Sequence, residues 1–460
     1  MARVGVRRWS RVAVIAGIIF LGVTSVPDAQ MYSAGLICPT STLVVQGLPI
    51  GRAAASPCPG QEWARTYGTG GFLGAVRQTA DAGYIVSTQS NGKLLKLDSA
   101  GNIQWQKSYS GGLTSVLQTP DGGYIVGGFT ESTGGDILLM KVDPAGAVQW
   151  RKTYGGGLDD LLWSLRLTSD GGYILAGRTY SFGVAAGAEH SVFLLKVDAQ
   201  GNLLWSKVYG GSWRGGGESI AQLPDGGFIV VGEATLSNDE DVLALRLDPD
   251  GNVLWWRVLK GLDFETARAV QPTPDGGFIM VVYVKASSAK YLVVKLGADG
   301  TVAWQKVYGK AQLSSYLRDN AIRVTPDGGY IVAGSFTIGG QEDVLLFRLD
   351  ASGNVQWAKT YGGGADERGR TVVPTADGGY LIGADLGWGT GVWLVKVDSQ
   401  GRVAPSCPPG IGASLSLKAT SGRLSPTTAD LASATASPVV ADAAVSPADI
   451  SVTASTQCSA

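Results

Sequence analysis

The chain of 460 residues contains one histidine, His190, and four cysteines, Cys38, Cys58, Cys407 and Cys458. A single imidazole leaves a His-dependent triad or a His-rich metal centre without partners, so neither is expected. All four cysteines fall outside residues 62–405, which keeps thiol chemistry away from the main body of the chain. Charge is scarce and balanced, with 37 basic against 38 acidic residues, so the basic footprint of a nucleic-acid or anionic-membrane binder is absent. Between residues 62 and 405 no segment carries a long apolar stripe of 3.6-residue period, and helix does not compete there.

What fills that region is one paragraph written seven times. In its clearest copy Asp327-Gly328-Gly329-Tyr330-Ile331-Val332 is followed by the run from Asp343 to Asp350. A third phrase then runs from Gly353 through Trp357 to Tyr361. The turn recurs before Tyr84, Tyr124, Tyr173, Phe228, Phe278, Tyr330 and Tyr380, and the tryptophan recurs at Trp63, Trp105, Trp150, Trp205, Trp255, Trp304 and Trp357. Each copy reads as four strands, because runs of Val, Ile, Leu, Tyr and Trp are bounded by turn signals. The high glycine content, 67 residues, is accounted for by turns at fixed positions.

The two series are out of phase. Trp63 precedes the first turn, and after the seventh turn the tryptophan position reads Pro405. A closed ring of sheets has no free terminal blade, so one blade must be assembled from both chain ends. The sequence therefore predicts an all-β, seven-bladed β-propeller with four antiparallel strands per blade over residues 62–405, closed by the N-terminal strand. An open solenoid with a degraded last copy is the alternative, disfavoured because no capping copy is present.

Residues 1–29 read as an export signal, with Arg3, Arg7, Arg8 and Arg11 ahead of an apolar stretch too short to cross a bilayer comfortably. A retained anchor is the alternative to cleavage. The chain is accordingly expected in a secreted, periplasmic or cell-surface location, as a monomer that does not span the membrane once the signal is removed. Residues 30–61 form a lead containing Cys38 and Cys58. Residues 406–460 form an Ala/Ser/Thr/Pro-rich tail containing Cys407 and Cys458, either a flexible stalk or a set of short extended segments. In an exported chain four cysteines favour disulfides. Pairing Cys38 with Cys58 and Cys407 with Cys458 closes the shorter loops and is preferred, while Cys58 with Cys407 would staple the ring closure.

Two connections per copy are near-identical tight turns and two vary. Residues 180–190 and 209–217 are long where the first copy has only residues 89–92. The variable connections share one face of a propeller, and loops on a rigid scaffold are where recognition usually sits. Trp213, Trp388, Tyr180 and Arg214 belong to that face as candidate ligand contacts, with Trp163 near them at the start of a first strand. Asp160, Glu265 and Glu367 lie ten residues before the turn residues Asp170, Asp275 and Asp377, at equivalent points of alternate blades. Aromatics with carboxylates suit a sugar or peptide ligand, and paired carboxylates can also serve as acid and base in glycoside cleavage. His190 is expected to be an exposed loop residue. The segment Asp248-Pro249-Asp250-Gly251-Asn252 has calcium-loop character, but equivalent turns elsewhere in the chain make a hairpin the simpler account. The Lys or Arg before that turn recurs in every copy and reads as a repeated ion pair or carbonyl partner.

With Trp-x-Lys-x-Tyr-Gly-Gly and Asp-Gly-Gly-Tyr-Ile-Val-x-Gly as its repeated words, the chain resembles secreted bacterial and archaeal β-propeller repeat proteins over residues 62–405. That resemblance implies location more than activity. The chain is also distantly similar to quinoprotein propellers with tryptophan-bearing blades. Seven copies in place of the eight usual there, and no quinone or calcium constellation, lead to the expectation of no cofactor and no metal. The function expected from sequence is non-catalytic recognition of a protein or polysaccharide. An extracellular hydrolase or lyase and a structural envelope component are the alternatives.

Overall fold

The computed structural model describes residues 62–407, apart from 132–133, 184–188, 211–212, 236–238, 262–263, 286–289, 309–316, 318–320, 339, 364 and 406. Beyond 407 it describes the backbone of seven short strands between 413 and 459. Residues 1–29, expected to be an export signal, and the lead with Cys38 and Cys58 lie outside the described residues.

Seven antiparallel sheets form the ring, six of them meanders of four consecutive strands. Blade 1 is Leu73–Gln78, Tyr84–Thr88, Lys93–Leu97 and Ile103–Ser108, and blades 2 to 6 repeat the pattern. Blade 7 takes Glu367–Pro374, Tyr380–Leu386 and Gly391–Val397 from the end of the repeat, and Trp63–Tyr67 from its beginning. The register of the closing pair is Trp63 opposite Lys396 through Tyr67 opposite Val392. Each first strand packs beside the first strand of the next blade, and that of blade 7 packs beside that of blade 1, so the seven surround the central channel. The tail takes the extended-segment form. Its seven strands each add a fifth, outermost strand to one blade.

The repeated words are the joints between blades. The repeated tryptophan of each outer strand packs against the turn aromatic of the next blade, as in Trp63 with Tyr84 and Trp255 with Phe278, at centroid separations of 5.9–6.4 Å. Such pairs prefer tilted or edge-on geometry, which these adopt, and they fill the wedge between neighbouring sheets. Four residues after the tryptophan, the hydroxyls of Tyr67, Tyr109, Tyr154, Tyr209, Tyr308 and Tyr361 donate to the carbonyl of a turn glycine in the next blade, at 2.5–2.8 Å. Leu259 stands at this position in blade 4, and that junction lacks the bond.

A second lock lies within each blade. The buried Lys96, Lys141, Lys196, Lys295 and Lys396 reach the aspartate of their own blade's turn at 2.7–2.8 Å, and Arg246 and Arg348 do the same in blades 4 and 6. The turn aspartate accepts from the backbone N–H of the second glycine and, in every blade but the fourth, where Leu223 stands, from a threonine two residues earlier, as Asp275 does from Thr273 at 2.5 Å. The first glycine of the turn has φ near +80°, a region costly for residues with a Cβ. In blade 1 that position is Ala82, with φ 61°. Asp248, of the apparent calcium loop, turns its carboxylate to the N–H groups of Asp250 and Asn252 and to the Asn252 amide, as a hairpin requires.

These bonds hold Asp121 and Asp275 low. The Asp275 and Asp121 carboxyls sit at about 2, principally through the lysine hydrogen bond. A carboxyl depressed on folding contributes stability above its ordinary value of 3.8, and this is lost as pH falls towards 2. Lys295→Met leaves the Leu296 carbonyl without its donor and Asp275 without its cation, at a cost of about 1–2 kcal/mol. The variant is expected to lose less stability than the wild type between pH 4 and 2 in urea melts.

Candidate binding site at the channel mouth

In six blades the first strand carries a bulge at one place. The register slips between Leu73 and Ala75, Leu113 and Ser115, Leu162 and Ser164, Gly217 and Ser219, Ala267 and Ala269, and Gly369 and Thr371. The residues the register skips are Gly74, Thr114, Trp163, Glu218, Arg268 and Arg370, each seven positions before its turn aspartate. A bulge re-aims a side chain out of the ladder, and bulges recur next to functional sites. Here a strictly periodic scaffold presents six positions on its innermost strands, and five residue types fill them.

Three neighbouring bulge residues are joined into one charged cluster. Glu218 receives Arg268 Nη1 at 2.9 Å and Arg178 Nη2 at 3.2 Å, and Arg178 also reaches Glu233 at 3.1 Å. The Arg178 guanidinium lies over the Trp163 ring, 5.6 Å from its centroid. Blades 3, 4 and 5 thus share two guanidiniums, two buried carboxylates and an indole face, with Arg178 and Arg268 partly exposed. Burial, followed by the adjacent Glu218 carboxylate, pushes the Glu233 carboxyl up, against the pull of Arg178 and Arg268. Across the ring, Arg370 is paired with Asp385 and lies 5.5 Å from the Phe72 ring. Arg368, bonded to Glu342 and Asp366, supports the indole of Trp388 at 4.4 Å.

Of the residues singled out from sequence, Tyr180 and Arg214 come together beside the first cluster. Tyr180 stacks on His190 at 5.2 Å and Arg214 bonds Glu189 at 2.7 Å. His190 is half-buried rather than exposed, because Tyr180 covers it, and burial with the nearby Arg178 and Arg214 lowers it to about 4. Trp388 is 70 % exposed but belongs to blade 7, among a different set of partners. Trp213 is a core residue. At 3 % exposure it packs with Ile220, Ala234 and Val258, because the long Gly-rich connection folds its one large apolar side chain inward.

The three carboxylates expected at the channel entrance are buried at separate blade junctions. Asp160 accepts from the Gly156 N–H and the Ser181 hydroxyl, both at 2.8 Å, and lies near Asp136. Glu265 shares the Gly261 corner with Asp241. Glu367 accepts from the Gly363 N–H at 3.0 Å, and burial with the nearby Asp343 and Asp366 raises it to about 7. Their equal spacing from the turn reflects a repeated junction in blades 2/3, 4/5 and 6/7. Among the described residues no group of three or more His, Cys, Asp or Glu is arranged to hold a metal.

Sequence reasoning passed over Glu218, Glu233, Arg178, Arg268 and Arg370. The signal was present: aligned on the turn aspartate, the seventh position upstream reads Gly, Thr, Trp, Glu, Arg, Asn and Arg, which is abnormal variety for a strand interior.

Comparison with known proteins adds the fold. Residues 325–355, which span the turn and the second and third strands of blade 6, match the model of a β-propeller domain of unknown function, DUF5122. No curated protein matches the chain at a significant level. Among solved structures, a protein of unknown function from Bacteroides caccae is similar at 14 % identity and TM-score 0.39, covering 60 % of this chain and 92 % of its own. A gluconolactonase from Xanthomonas campestris is similar at 12 % identity and TM-score 0.35, covering 76 % and 98 %. The PQQ-bound aldose sugar dehydrogenase from Streptomyces coelicolor is similar at 12 % identity and TM-score 0.33, covering 80 % and 97 %. Likeness this remote says nothing of substrate or chemistry, which reside in sites rather than folds. What the comparisons contribute is a β-propeller repeat, matched directly in one of its seven copies.

Proposed function

We propose that the chain is an exported, non-catalytic propeller that recognises a glycan or protein through its variable-loop face, with the bulge residues of the inner strands at the centre of the contact. The observation that carries this reading is the contrast between faces. One face repeats the same aspartate–cation lock seven times, while the six bulge positions hold Gly74, Thr114, Trp163, Glu218, Arg268 and Arg370. An indole face beside fixed guanidiniums and carboxylates suits a hydroxyl-rich ligand, which stacks on the ring and divides its donors and acceptors among the charges.

The test is binding of the mature chain to a panel of polysaccharides and cell-envelope fractions, beside Trp163→Ala and Trp388→Ala at unchanged melting temperature. Trp163→Ala is expected to weaken binding at least tenfold and Trp388→Ala to affect it less. Equal binding by wild type and both variants would remove the face from consideration.

A hydrolase or lyase is the second reading, through Glu367, whose carboxyl is pushed up to about 7 by burial and the nearby Asp343. Turnover of any panel member that disappears in Glu367→Gln would install that reading instead.

A further inference from the structure

After blade 7 the tail visits every blade once, in reverse order. Ala413–Ser414 pairs with the outer strand of blade 6, Ala419–Ser421 with that of blade 5 and Ser425–Thr427 with that of blade 4. Ala432–Thr435, Val439–Asp442 and Ala448–Asp449 follow on blades 3, 2 and 1. The last strand, Ala454–Ser459, returns to blade 7 and pairs with Trp63–Tyr67. The strands begin six to nine residues apart, enough extended chain to step from one blade edge to the next. Pro426 falls within one of them, which an outermost strand tolerates because one row of its N–H groups faces away from the sheet.

The circuit therefore begins and ends at the same blade, and a cysteine stands at each end. Cys407 packs against the cluster that contains Ala64 of the closing strand, and it is not a free thiol. Cys458 is the cross-strand partner of Ala64. We propose that Cys407 and Cys458 form a disulfide that closes residues 407–458 into a covalent hoop around the propeller. Two thiols give up two protons and two electrons. A disulfide donor of the exported compartment accepts them through a mixed disulfide and leaves as a dithiol.

The hoop answers a physical difficulty. The first six tail strands, of two to four residues each, make few hydrogen bonds for the backbone freedom they lose, and a belt fixed only at residue 407 peels from its free end. A clasp at Cys458 removes that end. It also makes release of any one strand depend on slack from its neighbours. Cys58, five residues before the closing strand, is the rival partner for Cys407.

Non-reducing peptide mapping of the full chain, purified from an oxidising compartment, is the direct test. A linked pair holding Cys407 and Cys458, separating on reduction, is expected. Cys407 bound to Cys58 or Cys38, or a free Cys458, would overturn the hoop. A Cys458→Ser chain supplies the second arm by amide exchange. Protection of the outer strands Trp63–Tyr67 and Ile103–Ser108 is expected to fall at least tenfold, with the first strands unchanged. Equal protection in both chains would also overturn it, because the clasp would then hold nothing in place.

Discussion

A chain ending at residue 411 is expected to fold into the seven-bladed ring, to melt within about 5 °C of the full chain, and to self-associate at concentrations where the full chain stays monomeric. The magnitudes decide between the two effects. Each tail strand gains a few backbone hydrogen bonds at a net of about 0.5–1.5 kcal/mol apiece, while ordering each of its residues costs about 1–2 kcal/mol. The sum per blade is near zero, so the belt adds little to the stability of a ring whose core lies between the four-stranded sheets. What it supplies is cover. Without it, seven outer strands present unpaired N–H and C=O groups, the usual template for edge-to-edge pairing. Two of these strands already expose Leu204 and Leu254. Light scattering across a concentration series measures the outcome. A truncated chain that remains monomeric, with an unchanged soluble yield, would mean that the edges need no cover.

The ring was legible because its signals are local and periodic. Seven turns, seven tryptophans and the empty slot at Pro405 together specify four strands per blade and closure by Trp63–Tyr67, and the register Trp63 opposite Lys396 agrees. The repeated lysine gave its own meaning away, since a cation placed identically in every copy needs a partner placed identically, and the turn aspartate is that partner. The tail was only half legible. Its composition announces extended chain, but a strand that adds to a sheet edge is selected by the edge and needs no apolar alternation of its own.

For the candidate site the sequence named a face and not its members. Variable loops mark one face as individual, yet loop length says nothing of which side chains turn inward. Trp213 looked like a ligand contact because it breaks the repeat, and it breaks the repeat because a long connection needs its own core residue. Asp160, Glu265 and Glu367 share a position relative to the turn, and that shared position places them at equivalent junctions rather than in one cavity. The bulge residues carry the opposite lesson. A residue in the middle of a strand reads as core by pattern, and only the slip in pairing beside it, a long-range property, releases it from the ladder. Variety among copies at a structurally fixed position was the usable clue.

That clue leads to the largest single-residue effect expected at the mouth. Arg268→Ala leaves Glu218 and Glu233, both buried, with Arg178 as their one remaining guanidinium. Breaking a buried pair by removing one partner costs about 3–5 kcal/mol, and the lower end applies because the Arg268 side chain is a quarter exposed. The loss should depend on pH, and the sign follows from Glu233. Its carboxyl is raised on folding from 4.5 to about 8, so the folded chain binds more protons than the unfolded chain in that window and stability falls as pH rises through it. Removing Arg268 takes away a cation that lowers this carboxyl, which raises it further and steepens the slope. Urea melts should therefore find the variant weakest relative to wild type at pH 8 and closer to it at pH 5. Adding Glu233→Gln should recover much of the difference at pH 8. A merely smaller side chain would cost the same at both values, and that result would dissolve the four-charge cluster into unrelated surface contacts and take the centre out of the proposed recognition site.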